Sequence, residues 1–190
     1  MRSARQSRRA AATTDLSPML AHHFTLPDET HTDALGRALG QALHGLYTQV
    51  QAHGAVLTLS GDLGAGKTAL VRALLRALGV TGPVKSPTFS LLEPYDLSSL
   101  NFYHFDFYRF GGGDEFATAG FRELFAPGTV CAVEWPERAG ARMPTPDLSL
   151  TFKVMDQERV VQAMAHSPLG TAWLTQAIAT MQHRTATGDG

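Results

Sequence analysis

A glycine-rich loop between an apolar segment and a helical segment limits the possible folds of this chain more than any other feature. The segment AVLTLS (55–60) is almost wholly apolar, as is typical of a strand buried on both faces of an α/β sheet. It leads directly into GDLGAGKT (61–68), and the leucine-rich segment 69–78 that follows has helical periodicity. The pattern G-x-x-x-x-G-K-[ST] between a strand and a helix predicts a phosphate-binding loop.

The chemistry of this loop follows from its backbone. Glycines let successive N–H groups point into one hollow, and the start of the next helix adds its positive end. We expect Lys67 to reach the β- and γ-phosphates of a nucleotide and the Thr68 hydroxyl to bind Mg²⁺. We expect Asp62 mainly to stabilise the turn. The predicted nucleotide-binding residues of this segment are Gly61, Asp62, Leu63, Gly64, Ala65, Gly66, Lys67, Thr68 and Ala69.

The rest of the chain alternates between helical and strand patterns, which indicates the α/β class. Apolar residues recur at three- and four-residue steps before the loop, and period-2 segments follow it. The predicted elements are a helix over 28–53, strands over 89–95, 101–110 and 129–133, a hairpin formed by 147–154 and 159–165, and a last helix after Ser167 and Pro168.

Length and composition fit one soluble globular domain. The chain has 190 residues, of which 44% are hydrophobic and 17% charged, and its net charge of −1 provides no general basic field for nucleic acid. A single cysteine excludes an internal disulfide and suits a reducing cytoplasm, and no apolar run is long enough to span a membrane. We expect a disordered Arg-rich extension over 1–20, one domain over 21–184, and a loose tail over 185–190. The extension also has the composition of a transit peptide or an RNA-binding arm.

Two acidic residues are candidates for the metal and for the attacking water. Glu134 directly follows the apolar strand 129–133, where open α/β sheets place their ligands. Asp106 lies in NFYHFDFYRF (101–110), whose alternation puts it on the more polar face. Either residue can serve the metal while the other orients water.

Three further residues have two interpretations each. Thr88, in KSPT (85–88), either senses the γ-phosphate from a switch loop or belongs to an ordinary proline turn. Trp135 either stacks on a base or fills the core. Arg109 either neutralises charge in a transition state or forms a surface ion pair.

Four motifs together resemble one family. The segments GDLGAGKT (61–68), KSPTF (85–89), YHFDFYR (103–109) and VEWPER (133–138) resemble those of the TsaE family, also called YjeE, the small ATPases of bacterial tRNA threonylcarbamoyladenosine modification. The resemblance covers about residues 24–146, and the last three motifs are more specific than the phosphate loop. GGGDEF (111–116) departs from the family pattern, where an acidic turn with proline is more usual.

The resemblance implies a cytoplasmic protein with a three-layer α/β/α P-loop NTPase-like fold and a mixed central sheet. It implies ATP and Mg²⁺ as cofactors, and the TsaD and TsaB proteins as partners through which the chain acts on tRNA only indirectly. The modified nucleoside is adenosine 37 of ANN-decoding tRNAs. The family's metal site corresponds to Thr68 and Glu134, its functional aspartate to Asp106, its switch threonine to Thr88, and its Tyr-Arg pair to Tyr108 and Arg109.

The residues also permit other functions. A small-molecule kinase would use the same phosphate loop and close an acceptor pocket over the γ-phosphate, whereas a scaffold would bind nucleotide without turnover. The absence of a long Arg-rich segment after the loop favours a hydrolytic switch over a kinase. The absence of an N-K-x-D motif disfavours a GTPase.

Overall fold

The computed structural model describes residues 20–98, 100–155 and 158–187, which form seven strands and five α-helices joined by turns. The strands are β1 (Leu20–Leu26), β2 (Ala55–Ser60), β3 (Leu92–Asp96), β4 (Asn101–Asp106), β5 (Thr129–Glu134), β6 (Leu148–Met155) and β7 (Glu158–Ala165). The helices are α1 (Glu29–Gly45), α2 (Tyr47–His53), α3 (Lys67–Ala77), α4 (Gly113–Thr118) and α5 (Pro168–Thr187).

All seven strands belong to one mixed sheet with the order β1-β7-β6-β2-β5-β4-β3. The strands β6, β2, β5 and β4 run parallel to one another, while β3, β7 and β1 pair antiparallel with their neighbours. The phosphate-loop strand β2 is therefore central, with parallel neighbours on both sides. This arrangement confirms the predicted α/β class with a mixed central sheet.

Side-chain alternation along the strands produces a hydrophobic core on each face of the sheet. On β5, Val130 and Ala132 belong to a large core that includes buried residues of α1, α3 and α5. Cys131 and Val133 face the other way, into a smaller core with Phe105 of β4. Phenylalanines of α4 and of the following loops complete this second core, so the sheet lies between two layers.

Helix α1 approaches the helix of the phosphate loop closely through two glycines. A Cβ at Gly36 would lie 2.5 Å from the carbonyl oxygen of Leu70, and one at Gly40 would lie 2.6 Å from that of Leu74. Any larger residue would push α1 away from α3. The packing of these two helices therefore helps to set the position of the loop.

Two predicted elements have different bounds in the structure, and one strand was not predicted. The helix predicted over 28–53 divides at Leu46, after the weak helix former Gly45. The strand predicted over 89–95 begins only at Leu92. Strand β1 was not predicted, because only Phe24 and Leu26 of this edge strand are buried and its alternation is weak.

The strand predicted over 101–110 ends at Asp106 for a reason visible in its side chain. One carboxylate oxygen of Asp106, Oδ1, accepts the backbone N–H of Tyr108 at 2.9 Å, which bends the chain. The backbone N–H between these two residues, that of Phe107, donates to the Glu134 carbonyl at 3.0 Å. The acid itself therefore ends the strand and fixes its own position.

The predicted terminal segments lie largely at the limits of the described residues. Of the extension expected over 1–20, only Leu20 is described, and it begins β1. Of the tail expected over 185–190, residues 185–187 belong to α5 and 188–190 lie outside the described part.

Candidate functional site

The carboxyl ends of the parallel strands bring the predicted site residues together. Asp106 ends β4 and is paired in register with Glu134, the last residue of β5, which in turn lies opposite Leu59 of β2. Ligands of open α/β sheets bind at this edge. The edge holds a pocket of about 260 Å³ lined by Leu63, Gly64, Ala65, Gly66, Lys67, Thr68, Ala69, Ser86, Thr88, Asp106, Tyr108, Glu134 and Trp135.

The loop has the backbone that its glycines predict. Gly61, Gly64 and Gly66 have φ values of 134°, 80° and 107°, a region that side chains rarely allow. Gly66 immediately precedes α3, whose first-turn N–H groups have no acceptors within the helix. Those free donors and the helix dipole favour an anion at this position, as in other phosphate loops.

Lys67 is held inside the loop by two backbone carbonyls. Its side chain is only 3% exposed, and Nζ donates to the carbonyl oxygens of Gly61 at 2.6 Å and Asp62 at 2.8 Å. The ammonium group also lies 4.1 Å from the centre of the Trp135 ring. Burial lowers the pKa of Lys67, and nearby carboxylates, of which Glu134 acts most strongly, partly offset that decrease.

Thr68, Glu134 and His104 form a buried chain of hydrogen bonds. The Thr68 hydroxyl donates to Oε1 of Glu134 at 2.7 Å, and Nε2 of His104 lies 2.9 Å from the same oxygen. Glu134 is 2% exposed and His104 is fully buried. The orientation of the Glu134 carboxylate is therefore fixed from two sides, with its Oε1 shared between the loop helix and β4.

Thr68 and Glu134 fit a Mg²⁺ ion that is shared with a nucleotide. Hydroxyl and carboxylate oxygens are hard ligands, and Mg²⁺ commonly uses one or two carboxylates together with substrate phosphates. The described residues contain no cluster of three or more His, Cys, Asp and Glu side chains arranged for a metal.

Asp106 connects β4 to the segment 85–89. Its Oδ2 accepts hydrogen bonds from the hydroxyls of Ser86 and of Thr88, the latter at 2.7 Å, while its Oδ1 accepts the Tyr108 N–H. The two hydroxyls also lie 2.6 Å from each other. Any movement of Thr88 towards a ligand would therefore change what Asp106 binds.

An aromatic pair forms the wall of the pocket beside Lys67. The rings of Tyr108 and Trp135 have centres 5.1 Å apart, and both line the pocket. Trp135 has φ 58° and ψ 48°, a left-handed conformation that is unusual for a bulky residue. Its backbone N–H donates to the Leu59 carbonyl at 3.1 Å, which holds it against β2. Trp135 therefore lines the pocket and also packs against the smaller core.

Most predicted site residues meet in this pocket, and three do not line it. Gly61 and Asp62 contribute their carbonyl oxygens to Lys67 from outside the lining. The guanidinium of Arg109 lies instead over the ring of Phe89, 4.7 Å from its centre, and that ring is 86% exposed. Arg109 thus contacts the segment that carries Thr88 rather than the pocket.

Three residues of the site were not assigned roles from the sequence. His104 shares the polar face of β4 with Asp106, and this alternation was the available signal. Ser86 is a neighbour of Thr88 in the KSPT segment. The side chain of Glu137, in VEWPER, accepts a bond from Ser60 at 3.3 Å and adds to the negative charge around Lys67.

Comparisons with known proteins agree on one family. A family model described as "Threonylcarbamoyl adenosine biosynthesis protein TsaE" matches residues 26–161. The TsaE protein of Haemophilus influenzae is 34% identical over 145 residues, which cover 76% of this chain and 90% of that protein. The TsaE protein of Bacillus subtilis is 40% identical over 109 residues, or 57% of this chain and 68% of that protein.

A solved structure supports the same relationship. The crystal structure of Bacillus subtilis YdiB superposes with a TM-score of 0.61 at 27% identity, covering 86% of this chain and 96% of that chain. The family match extends beyond residue 146, where the resemblance inferred from the sequence ends, into β7. In the described residues no helix is long and apolar enough to cross a membrane.

Proposed function

Because this chain belongs to the TsaE family, whose members serve tRNA threonylcarbamoyladenosine biosynthesis, we propose that it acts in that pathway as a switch that binds and hydrolyses Mg·ATP. One observation carries the proposal. The loop lysine, the Thr68–Glu134 pair and the Asp106–Thr88 contact all line one pocket at the carboxyl edge of the sheet.

ATP binding is assigned to the loop and its helix. The phosphates occupy the hollow formed by residues 61–69, and Lys67 exchanges its two carbonyl acceptors for phosphate oxygens. That exchange is favourable because a buried ammonium gains an anionic partner in place of neutral ones. Trp135 and Tyr108 exclude water from one side of the phosphates.

The metal site is assigned to Thr68 and Glu134. A bound Mg²⁺ supplies neutralisation of the phosphate charge that develops during hydrolysis. The Thr68 hydroxyl would offer an oxygen lone pair to Mg²⁺ while its O–H still donates to Glu134, whose carboxylate His104 also holds. Glu134 serves the metal directly or through a water molecule.

Hydrolysis and switching are assigned to Asp106 and the segment 85–89. Asp106 orients the attacking water, which can donate to the second lone pair of Oδ1 while the hydroxyls of Ser86 and Thr88 donate to Oδ2. Thr88 moves to the γ-phosphate when ATP is present and returns after cleavage. Arg109 contacts the ring of Phe89 and therefore moves together with the segment 85–89. In its new position it neutralises charge in the transition state.

The partners are proposed from the family resemblance. TsaD and TsaB receive the conformational signal, and the modified nucleoside is adenosine 37 of ANN-decoding tRNAs. Hydrolysis by the isolated chain is expected to be slow, because groups supplied by a partner can contribute a factor of about 10³–10⁵.

The test combines nucleotide binding, hydrolysis and tRNA modification with purified TsaD, TsaB and tRNA. Lys67→Ala should weaken ATP binding, whereas Asp106→Ala should retain it and lose partner-stimulated hydrolysis and repeated modification. Two exposed residues, Lys153 and Asp96, provide matched controls as Lys153→Ala and Asp96→Ala. Equal loss of binding in both site variants, or phosphorylation of a metabolite faster than hydrolysis, would contradict the proposal.

A further inference from the structure

A partly buried arginine of β7, Arg159, lies against the phosphate loop, and no role has been assigned to it above. The backbone of Arg159 is paired with Leu26 of β1 on one side and with Val154 of β6 on the other. Alternation along β7 puts its side chain on the same face as Val161 and Ala163, which belong to the core shared with α1 and α3. Arg159 therefore points from the sheet towards the helix layer, beside the start of α3.

The contact with the loop is close. A Cβ built on Gly66 would lie 3.5 Å from Nε and 3.6 Å from Cδ of Arg159. The methyl group of Thr32 lies 3.6 Å from the same point, on the side of α1. Arg159 thus flanks the residue that precedes Lys67, close to where the loop meets its helix.

The Nε atom of Arg159 is buried and makes no hydrogen bond to any residue that the structure describes. The described residues also provide no ion pair for this side chain. A guanidinium donor removed from water without an acceptor is unfavourable, and natural structures rarely keep one without a ligand or a partner. The nearby Thr32 hydroxyl donates to the Asp28 carbonyl at 3.3 Å and does not accept from Nε of Arg159.

We propose that Arg159 is a nucleotide-binding residue that donates to a phosphate group held by loop 61–68. The planar guanidinium matches phosphate oxygens well, and its charge complements the di- or triphosphate assigned to this loop. The inference rests on the proposed function, since it requires a nucleotide in the loop. It adds a cation from β7, outside the four sequence motifs.

The sheet prepares Arg159 for this role. Strand β7 lies between β1 and β6, so ladder bonds on both sides fix the backbone of Arg159 before any ligand binds. Because the backbone of Arg159 loses little conformational entropy when a ligand binds, more of the interaction free energy contributes to affinity. The edge strand β1 thereby contributes to the site through the position of Leu26.

The test measures the Kd for ATP and ADP by calorimetry in four variants. Arg159→Met keeps a long apolar stem but removes the charge and the donors, and should raise both Kd values about 10- to 100-fold, as expected for a lost charge-assisted hydrogen bond. Arg159→Lys should recover part of the affinity. Lys153→Met removes one positive charge from an exposed position of the same hairpin and should bind like wild type.

The fourth variant, Lys67→Ala, separates the two levels of the argument. If Lys67→Ala weakens binding but Arg159→Met stays within twofold of wild type, the inference is wrong and the proposed function stands. If wild type binds no nucleotide, or if Lys67→Ala has no effect, both are wrong. Urea denaturation without nucleotide gives a further readout, since removal of an unpaired charge should not lower the midpoint. A lowered midpoint with unchanged Kd would identify Arg159 as a structural support and overturn the inference.

Discussion

The buried contact between His104 and Glu134 allows a quantitative prediction. His104 is fully buried, Nε2 lies 2.9 Å from Oε1 of Glu134, and Nδ1 has no hydrogen-bond partner among the described residues. Because an ionised carboxylate only accepts, Nε2–H must donate. A hydrogen bond to a charged group contributes about 1.5–3 kcal/mol, and truncation of a large buried side chain adds a cavity. We therefore expect His104→Ala to reduce the free energy of unfolding by about 3–5 kcal/mol, or Tm by roughly 6–20 °C.

A double-mutant cycle isolates the hydrogen bond from the cavity. Chemical denaturation of His104→Ala, Glu134→Ala and the double variant should give a coupling free energy of about 1.5–3 kcal/mol. Since Thr68 shares the same carboxylate oxygen, His104→Ala should also weaken Mg²⁺-dependent ATP binding more than binding without Mg²⁺. A coupling free energy below about 0.5 kcal/mol would refute the reasoning, because the contact would then not hold Glu134.

Two further predictions concern the packing that supports the site. Gly36→Ala should destabilise the protein by about 1–3 kcal/mol in urea denaturation, because the new Cβ would lie 2.5 Å from the Leu70 carbonyl oxygen, and this overpacking exceeds the gain in helix propensity. Gly82→Ala, where a Cβ meets nothing within 4 Å, is the control, and equal effects would contradict the packing argument. Burial raises the pKa of the Cys131 thiol to about 12 from 9.0, so at pH 8 a disulfide reagent should modify the native protein about 10³-fold more slowly than the unfolded chain. Rapid labelling of the native protein would contradict this burial of the thiol. The same pKa shift should make the free energy of unfolding decrease between pH 9 and 12 in the wild type, because the thiol of the unfolded chain loses its proton first.

The sequence predicts the parts of this structure that depend on short-range patterns. The strand–loop–helix around Lys67 follows from one apolar run, three glycines and one helical periodicity, and all of them are local. The position of Glu134 follows because parallel strands end at one edge of a sheet. Both acids therefore reach the pocket that their places in the sequence indicate.

Features that depend on distant partners were not predictable in the same way. Strand β1 is specified by its pairing with β7 rather than by its own pattern, since only Phe24 and Leu26 of its seven residues are buried. Asp106 ends β4 because its own carboxylate accepts the Tyr108 N–H, and the alternation of polar and apolar residues along 101–110 does not indicate this end. Arg159 reaches the loop only because β1 and β6 fix the register of β7, so no motif near Lys67 indicates it.

The most direct test of the central claim is a crystal structure of the protein with Mg²⁺ and a non-hydrolysable ATP analogue. The account predicts phosphates in the hollow of loop 61–68, Lys67 Nζ moved from the carbonyls of Gly61 and Asp62 to phosphate oxygens, and Mg²⁺ on the Thr68 hydroxyl. Nucleotide bound elsewhere, or a Lys67 that keeps both carbonyl contacts while the loop stays empty, would contradict it.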